Sequence, residues 1–187
     1  SASVWLALRE GEVERTVDFS GDLGQYGSPI LRDPEPGVAA DLVVMESTYG
    51  ERLHREREAT LQELGGLLRA ARDDGGNVLI PAFAVGRSQD VLYEMGTHYD
   101  EWGLDDWQIF LDSPMAIDAT KLYRRFRQYH RLSAEETTAM FKVAQLANTP
   151  EQSKAIAGLH MPCVIISASG MATGGRVLHH LKRILPD

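Results

Sequence analysis

In the stretch Val43-Val44-Met45-Glu46-Ser47-Thr48-Tyr49-Gly50, a carboxylate directly follows an apolar run. A surface turn would normally be built from Asn, Asp, Gly or Pro, so a Glu in that place points to chemistry or to a structural ion pair. Small polar residues follow three further apolar runs. They are Ala82-Phe83-Ala84-Val85-Gly86-Arg87-Ser88 after "NVLIP", Asp112-Ser113-Pro114-Met115 within and after "QIFLD", and Ser167-Ala168-Ser169-Gly170-Met171-Ala172-Thr173-Gly174-Gly175 within and after "CVIISA". Backbone N–H groups of Gly-rich turns and helix ends bind anions, and a guanidinium can chelate phosphate oxygens. Arg87, Ser88, Ser113, Ser169 and Gly170 are therefore the candidate contacts for a phosphate-bearing ligand. Each loop alone reads equally well as a tight turn, and Arg87 alone could pair with an acid at the start of its helix; the coincidence of four such ends favours a ligand.

The elements that would position these residues follow from periodicity. Residues 3–8 and 13–19 alternate β-branched or aromatic with polar residues around Glu10-Gly11-Glu12, which predicts a β-hairpin. A Gly- and Pro-rich loop over 20–37 leads into a different pattern. Four short apolar runs, "LVVM", "NVLIP", "QIFLD" and "CVIISA", alternate with helical stretches predicted over about 55–72, from Ser88 to about Tyr99, beyond Asp112, and from near Gly175. Ser133 with Glu136, and Thr149-Pro150 with Gln152, are further helix-start signatures. Continuous apolar runs alternating with helices predict an α/β protein with a parallel, doubly wound sheet flanked by helices. In such sheets ligands bind outside the carboxyl ends of the strands, where all four loops gather.

Composition narrows the function. The 187 residues are 43% hydrophobic and 25% charged, with a formal net charge of -8. This is a globular composition with no apolar run near the ~20 residues a spanning helix needs, so no membrane partner is expected. The acidic total argues against a generally basic nucleic-acid-coating surface. The densest cationic run, Lys121, Arg124, Arg125, Arg127 and Arg131 in "KLYRRFRQYHR", reads as a solvated helix face. A lone cysteine, Cys163, excludes an intramolecular disulfide and suggests a reducing, cytoplasmic setting.

Two common chemistries find no support. No G-x-G-x-x-G or Walker A loop follows any strand. The six histidines, 54, 98, 130, 160, 179 and 180, show no metal-ligand spacing and read as surface residues.

"FSGDLG" (19–24), "ESTYG" (46–50), "PAFAVGRSQ" (81–89) and "SASGMATGG" (167–175), in this order, resemble the beta-CASP branch of the metallo-β-lactamase superfamily over essentially the whole chain. The resemblance implies a nuclease with a two-zinc metallo-β-lactamase αββα domain and an inserted beta-CASP cap closing over RNA or DNA. It would make residues 1–36, with the hairpin, the C-terminal part of the lactamase segment, and residues 37–187 the beta-CASP domain. Asp22 matches the aspartate that bridges the two zincs. Glu46 matches the acidic residue that holds a catalytic histidine, and the Glu-Ser-Thr-Tyr-Gly form resembles RNA-processing members, similar to the cleavage and polyadenylation endonuclease subunit, rather than DNA-cutting ones. Tyr49 would then stack on a base or, more simply, pack beneath its loop.

The family's histidine ligands have no counterpart in these residues. The implied reading is a fragment of a zinc-dependent ribonuclease acting on single-stranded RNA, holding no zinc and inactive by itself, with a homodimer allowed. A non-catalytic RNA-binding scaffold of the same family is the alternative.

Overall fold

The computed structural model describes residues 2–159 and 162–185; His160 of the six histidines lies outside them. The chain divides into two compact units, one ending at Arg55 and the other starting at Glu56.

The first unit is a three-stranded sheet. Strands β1 (Val4–Glu10) and β2 (Val13–Phe19) form the predicted antiparallel hairpin, turning at Gly11 with φ 61°. Strand β3 (Leu42–Val44) lies parallel to β2, with Val17 opposite Leu42 and Phe19 opposite Val44. Its register is fixed by a reciprocal latch. The Thr16 amide and hydroxyl donate to Asp41 Oδ2 at 2.8 and 2.9 Å, and the Asp41 amide donates to Thr16 Oγ1 at 2.9 Å. These bonds and the nearby Arg15 hold the Asp41 carboxyl below its usual range.

One expectation changes here. "LVVM" joins the hairpin rather than the larger parallel sheet. So short an apolar run carries no mark of which sheet it will join, and the Thr16–Asp41 latch decides it. Nor is this run buried: Leu42, Val43 and Val44 are all about half exposed, like Val4, Leu6 and Leu8 of β1.

The second unit is the α/β layer structure. Its strands β4 (Val78–Pro81), β5 (Gln108–Leu111), β6 (Gln145–Leu146) and β7 (Cys163–Ser167) form an all-parallel sheet in the order β4-β7-β5-β6. Strand β6 is too short to leave a periodic signal. Among the described residues six helices accompany the sheet, α1 (Arg57–Asp73) before it, α2 (Arg87–Thr97), α3 (Pro114–Arg125), α4 (Ala134–Lys142) and α5 (Pro150–Ile156) between its strands, and α6 (Val177–Ile184) after it. The predicted caps form. Ser133 Oγ accepts the Glu136 amide, and Thr149 Oγ1 accepts the Gln152 amide, each with the reciprocal bond of a capping box.

Central strand β7 is buried on both faces, as a strand covered by helices on each side must be. On one face Cys163 and Ile165 pack with Leu79, Phe110, Ile156 of α5 and Ile184 of α6. Side chains of the opposite phase, Ile109, Leu111, Val164 and Ile166, are equally buried, and α2 packs on α3 and α4. Among the described residues no helix is long and apolar enough to cross a membrane.

Candidate functional site

The candidate residues fall on both units, and each group is built by strand ends. In the first unit, β2 and β3 finish side by side because they run parallel, with the Ser20 amide donating to Val44 O at 2.9 Å. The chain after β2 turns at Gly21 with φ 59°, where a Cβ would lie 2.6 Å from Ala2 O; only glycine fits. Asp22 follows, exposed. Glu46, one residue past the Met45 that succeeds β3, reaches across to this turn. Its Oε1 accepts the Leu23 amide at 3.2 Å and its Oε2 accepts the Thr48 amide at 3.3 Å, while its own amide donates to Ser20 Oγ at 3.4 Å.

Hydrogen bonds from the Thr48 side chain, the Leu23 amide and the Thr48 amide hold Glu46 below the usual carboxylate range against a small opposing burial effect. The structure thus brings Glu46 and the Asp22 turn together, with Glu46 kept anionic. Tyr49 does not pack beneath the loop. It is 55% exposed, its ring tilted against His54 at 4.5 Å between centroids.

In the second unit the carboxyl ends of β4, β5 and β7 carry the other candidates. Arg87 opens α2 with its side chain largely exposed and 3.7 Å from Asp90. Burial raises the Asp90 carboxyl, against the charges of Arg87 and Arg57. Gly170 sits against the β4 loop so closely that a Cβ would lie 2.9 Å from Phe83 N and 3.2 Å from Ala82 C. Ser169 Oγ is buried without a hydrogen-bond partner.

Ser88 and Ser113 turn inward. Ser88 is fully buried and its hydroxyl donates to Phe83 O at 2.8 Å; Ser113 Oγ caps α3 by accepting the Ala116 amide at 3.2 Å. Neither hydroxyl is presented at the surface, so both shape the loops that carry Arg87 and Met115. Buried Gln89 supports them. Its amide nitrogen donates to Ala84 O, Ala116 O and Thr120 Oγ1, and its carbonyl oxygen accepts the Gly86 amide at 2.7 Å.

Sequence reasoning missed a buried ion cluster behind these loops. Asp112, with no exposed surface, receives Arg176 Nη1 at 2.7 Å on Oδ1, and His180 Nε2 at 2.6 Å and Ser153 Oγ at 2.5 Å on Oδ2. Burial opposes ionisation of Asp112, but the bonds from His180, Ser153 and Arg176, with the Arg176 charge, outweigh it and hold the carboxyl low. Arg176 also donates to Ala147 O and Asn148 O, and Ser167 Oγ donates to Asp112 O. His180 and His130 are therefore core residues, 3% and 6% exposed, not surface histidines. A signal existed: Asp112 ends an apolar run just as Glu46 does.

Among the described residues no group of three or more His, Cys, Asp or Glu side chains is placed to hold a metal ion. A zinc site needs three or more protein ligands, and Asp22 offers one. The residues present do not by themselves fit a zinc centre.

The second unit, an all-parallel sheet flanked by helices with polar loops at its strand ends, belongs to the class of doubly wound α/β domains. Residues 88–187 match the Beta-Casp domain, and the chain belongs to the Beta-Casp family. It is 41% identical over 182 residues to "Ribonuclease TTHA0252" of Thermus thermophilus, covering 92% of this chain and 41% of that protein. It is 30% identical to "Transcription termination factor FttA" of Methanocaldococcus jannaschii, covering 96% of this chain and 30% of the relative. To "Endoribonuclease YSH1" of Yarrowia lipolytica it is 28% identical, covering 91% and 21%. The chain thus spans between 21% and 41% of the length of these relatives.

Proposed function

We propose that this chain is part of a zinc-dependent RNA-processing nuclease that hydrolyses phosphodiester bonds in single-stranded RNA. The observation that carries the reading is the placement of Glu46, an anchored and ionised carboxylate hydrogen-bonded to the residue after Asp22, in a chain related to proteins named ribonuclease and endoribonuclease. In this reading Asp22 supplies one metal ligand and the remaining ligands come from outside this chain. Bound zinc would supply an activated hydroxide and charge stabilisation. Glu46 is a positioning residue, fixing the orientation of a histidine beyond this chain. Arg87 meets phosphate, and the Gly170 turn, with no side chain of its own, lets the RNA strand approach the backbone; Ser169, whose hydroxyl is buried, and Ser88 and Ser113 hold these loops in place.

The half-exposed apolar residues of β1 and β3 support assigning the first unit to a larger lactamase-type domain, with the beta-CASP domain following it. The test is single-turnover cleavage of an end-labelled single-stranded RNA by the whole protein and its Asp22→Asn variant. Cleavage by the parent and its loss in the variant, with RNA binding retained, is the expected result. RNA bound but left intact by the parent would replace the nuclease with a non-catalytic scaffold.

A further inference from the structure

The segment between α3 and α4 carries a surface that the strand-end site does not use. Residues 121–131 hold five cations and no carboxylate, in a chain of net charge -8. They comprise the last turn of α3 and a 3-10 turn over Arg127–Tyr129. Arg124, Arg125 and Arg127 are exposed, and among the described residues no carboxylate lies within ion-pair distance of any of them. Instead, the Arg124 guanidinium lies 5.6 Å from the Phe141 ring and that of Arg125 lies 5.4 Å from the Phe126 ring.

Two rings share this surface. Tyr129 is 70% exposed and Phe126 40%, with centroids 6.2 Å apart. The partial negative charge at a helix C-terminus accounts for arginines in the last turn of α3. It does not account for Arg127 beyond the helix or for the Tyr129 ring, 70% exposed.

The turn is held rigidly from beneath. The Leu132 amide donates to His130 Nδ1 at 3.2 Å, so Nε2 carries the proton and donates to Tyr123 O at 3.0 Å. The His130 ring also stacks on Tyr123 at 5.9 Å. Helix α3 has 12 residues and starts at the strand-end loop, so the basic turn stands about 18 Å away, at 1.5 Å rise per residue.

We propose that this turn is a second binding surface for single-stranded RNA, with Arg124, Arg125 and Arg127 on phosphates and Tyr129 and Phe126 stacking on unpaired bases. Unpaired stacking platforms beside a cationic track are how single strands are held without sequence readout. The choice of RNA over other single strands rests on the proposed function; the surface itself does not. An acidic protein face would satisfy the arginines but would give the exposed rings no partner.

The test is fluorescence anisotropy of a labelled 12-nucleotide oligouridine with this chain across a salt series. Replacing Arg124, Arg125 and Arg127 together by Ala should weaken low-salt binding at least tenfold and flatten the log–log salt slope by about 2, at roughly 0.7 per phosphate contact on a single strand. Tyr129→Ala should weaken binding about fivefold or more at unchanged slope, and Tyr129→Phe should not. Arg87→Ala reports separately on the strand-end site. If the triple variant matches the parent, or the parent does not bind, the proposal is overturned, while the nuclease reading stands or falls on cleavage by the whole protein. If polyglutamate competes as well as oligouridine and Tyr129→Ala has no effect, the turn faces an acidic protein instead.

Discussion

Glu46 Oε1 accepts the backbone amide of Leu23 at 3.2 Å, tying the end of β3 to the residue directly after Asp22. The bond fixes the carboxylate by main chain on both sides, since Oε2 accepts the Thr48 amide. A rotamer held this way can orient a partner without being reorganised during a reaction.

Glu46→Gln should therefore slow RNA cleavage by the whole protein on the order of 10- to 100-fold with metal content unchanged. A glutamine keeps the shape but has only one oxygen, so it can accept only one of the two amide bonds. Single-turnover rates paired with metal analysis check this. If the rate holds and the metal stays bound, Glu46 has no positioning role.

This chain alone should retain no zinc after dialysis against metal-free buffer, because Asp22 is a solitary carboxylate in its turn. Elemental analysis of chelator-free protein is the measurement. One or more zinc ions per chain would place a complete ligand set where the described residues provide none.

Asp112→Asn should destabilise the second unit by about 3–5 kcal/mol, the usual cost of removing one partner of a buried ion cluster. The pH dependence has a definite sign. Because the folded Asp112 carboxyl titrates below its unfolded value, its contribution is fully present above the ordinary aspartate range and is lost as pH falls through the depressed folded value. Urea melts between neutral and acid pH should show the parent losing stability at low pH more steeply than the variant.

Gly170→Ala should cost about 1–3 kcal/mol as an overpacking change, since the added methyl would meet the backbone of Phe83 and Ala82. The contact is main chain and cannot be relieved by a side-chain rotation. Thermal melts would show it, and weaker RNA binding than the melts alone explain would mark the loop's displacement.

The sequence made the parallel sheet legible because "NVLIP", "QIFLD" and "CVIISA" are apolar enough to be buried on both faces, and the caps at Ser133 and Thr149 because their partners lie three residues on. It could not assign "LVVM", since so short an apolar run pairs equally well with either sheet and a latch between residues 25 apart, Thr16 and Asp41, settles the matter. Within the site, Glu46 and Arg87 stand out by residue type and loop position, whereas Asp22 is singled out only by the resemblance of its motif. The inward turn of Ser88 and Ser113 was not legible, because a hydroxyl that caps a helix and one that meets a ligand look alike in a sequence. Nor were the roles of His180 and Arg176, whose partner Asp112 lies more than 60 residues earlier.

The Asp112 cluster joins segments that follow β5, β6 and β7 and the helix α5 through one carboxylate. Among descendants of a common ancestor, such a hub should drift as a block rather than residue by residue. A lineage that replaces Asp112 with a neutral side chain would strand the Arg176 charge and leave buried His180 Nε2 without its partner, so it should have exchanged Arg176 and His180 as well. The three positions form one inherited character, and a chimera that takes α6 from one relative and β5 from another should fold only when both parents carry the same version of it.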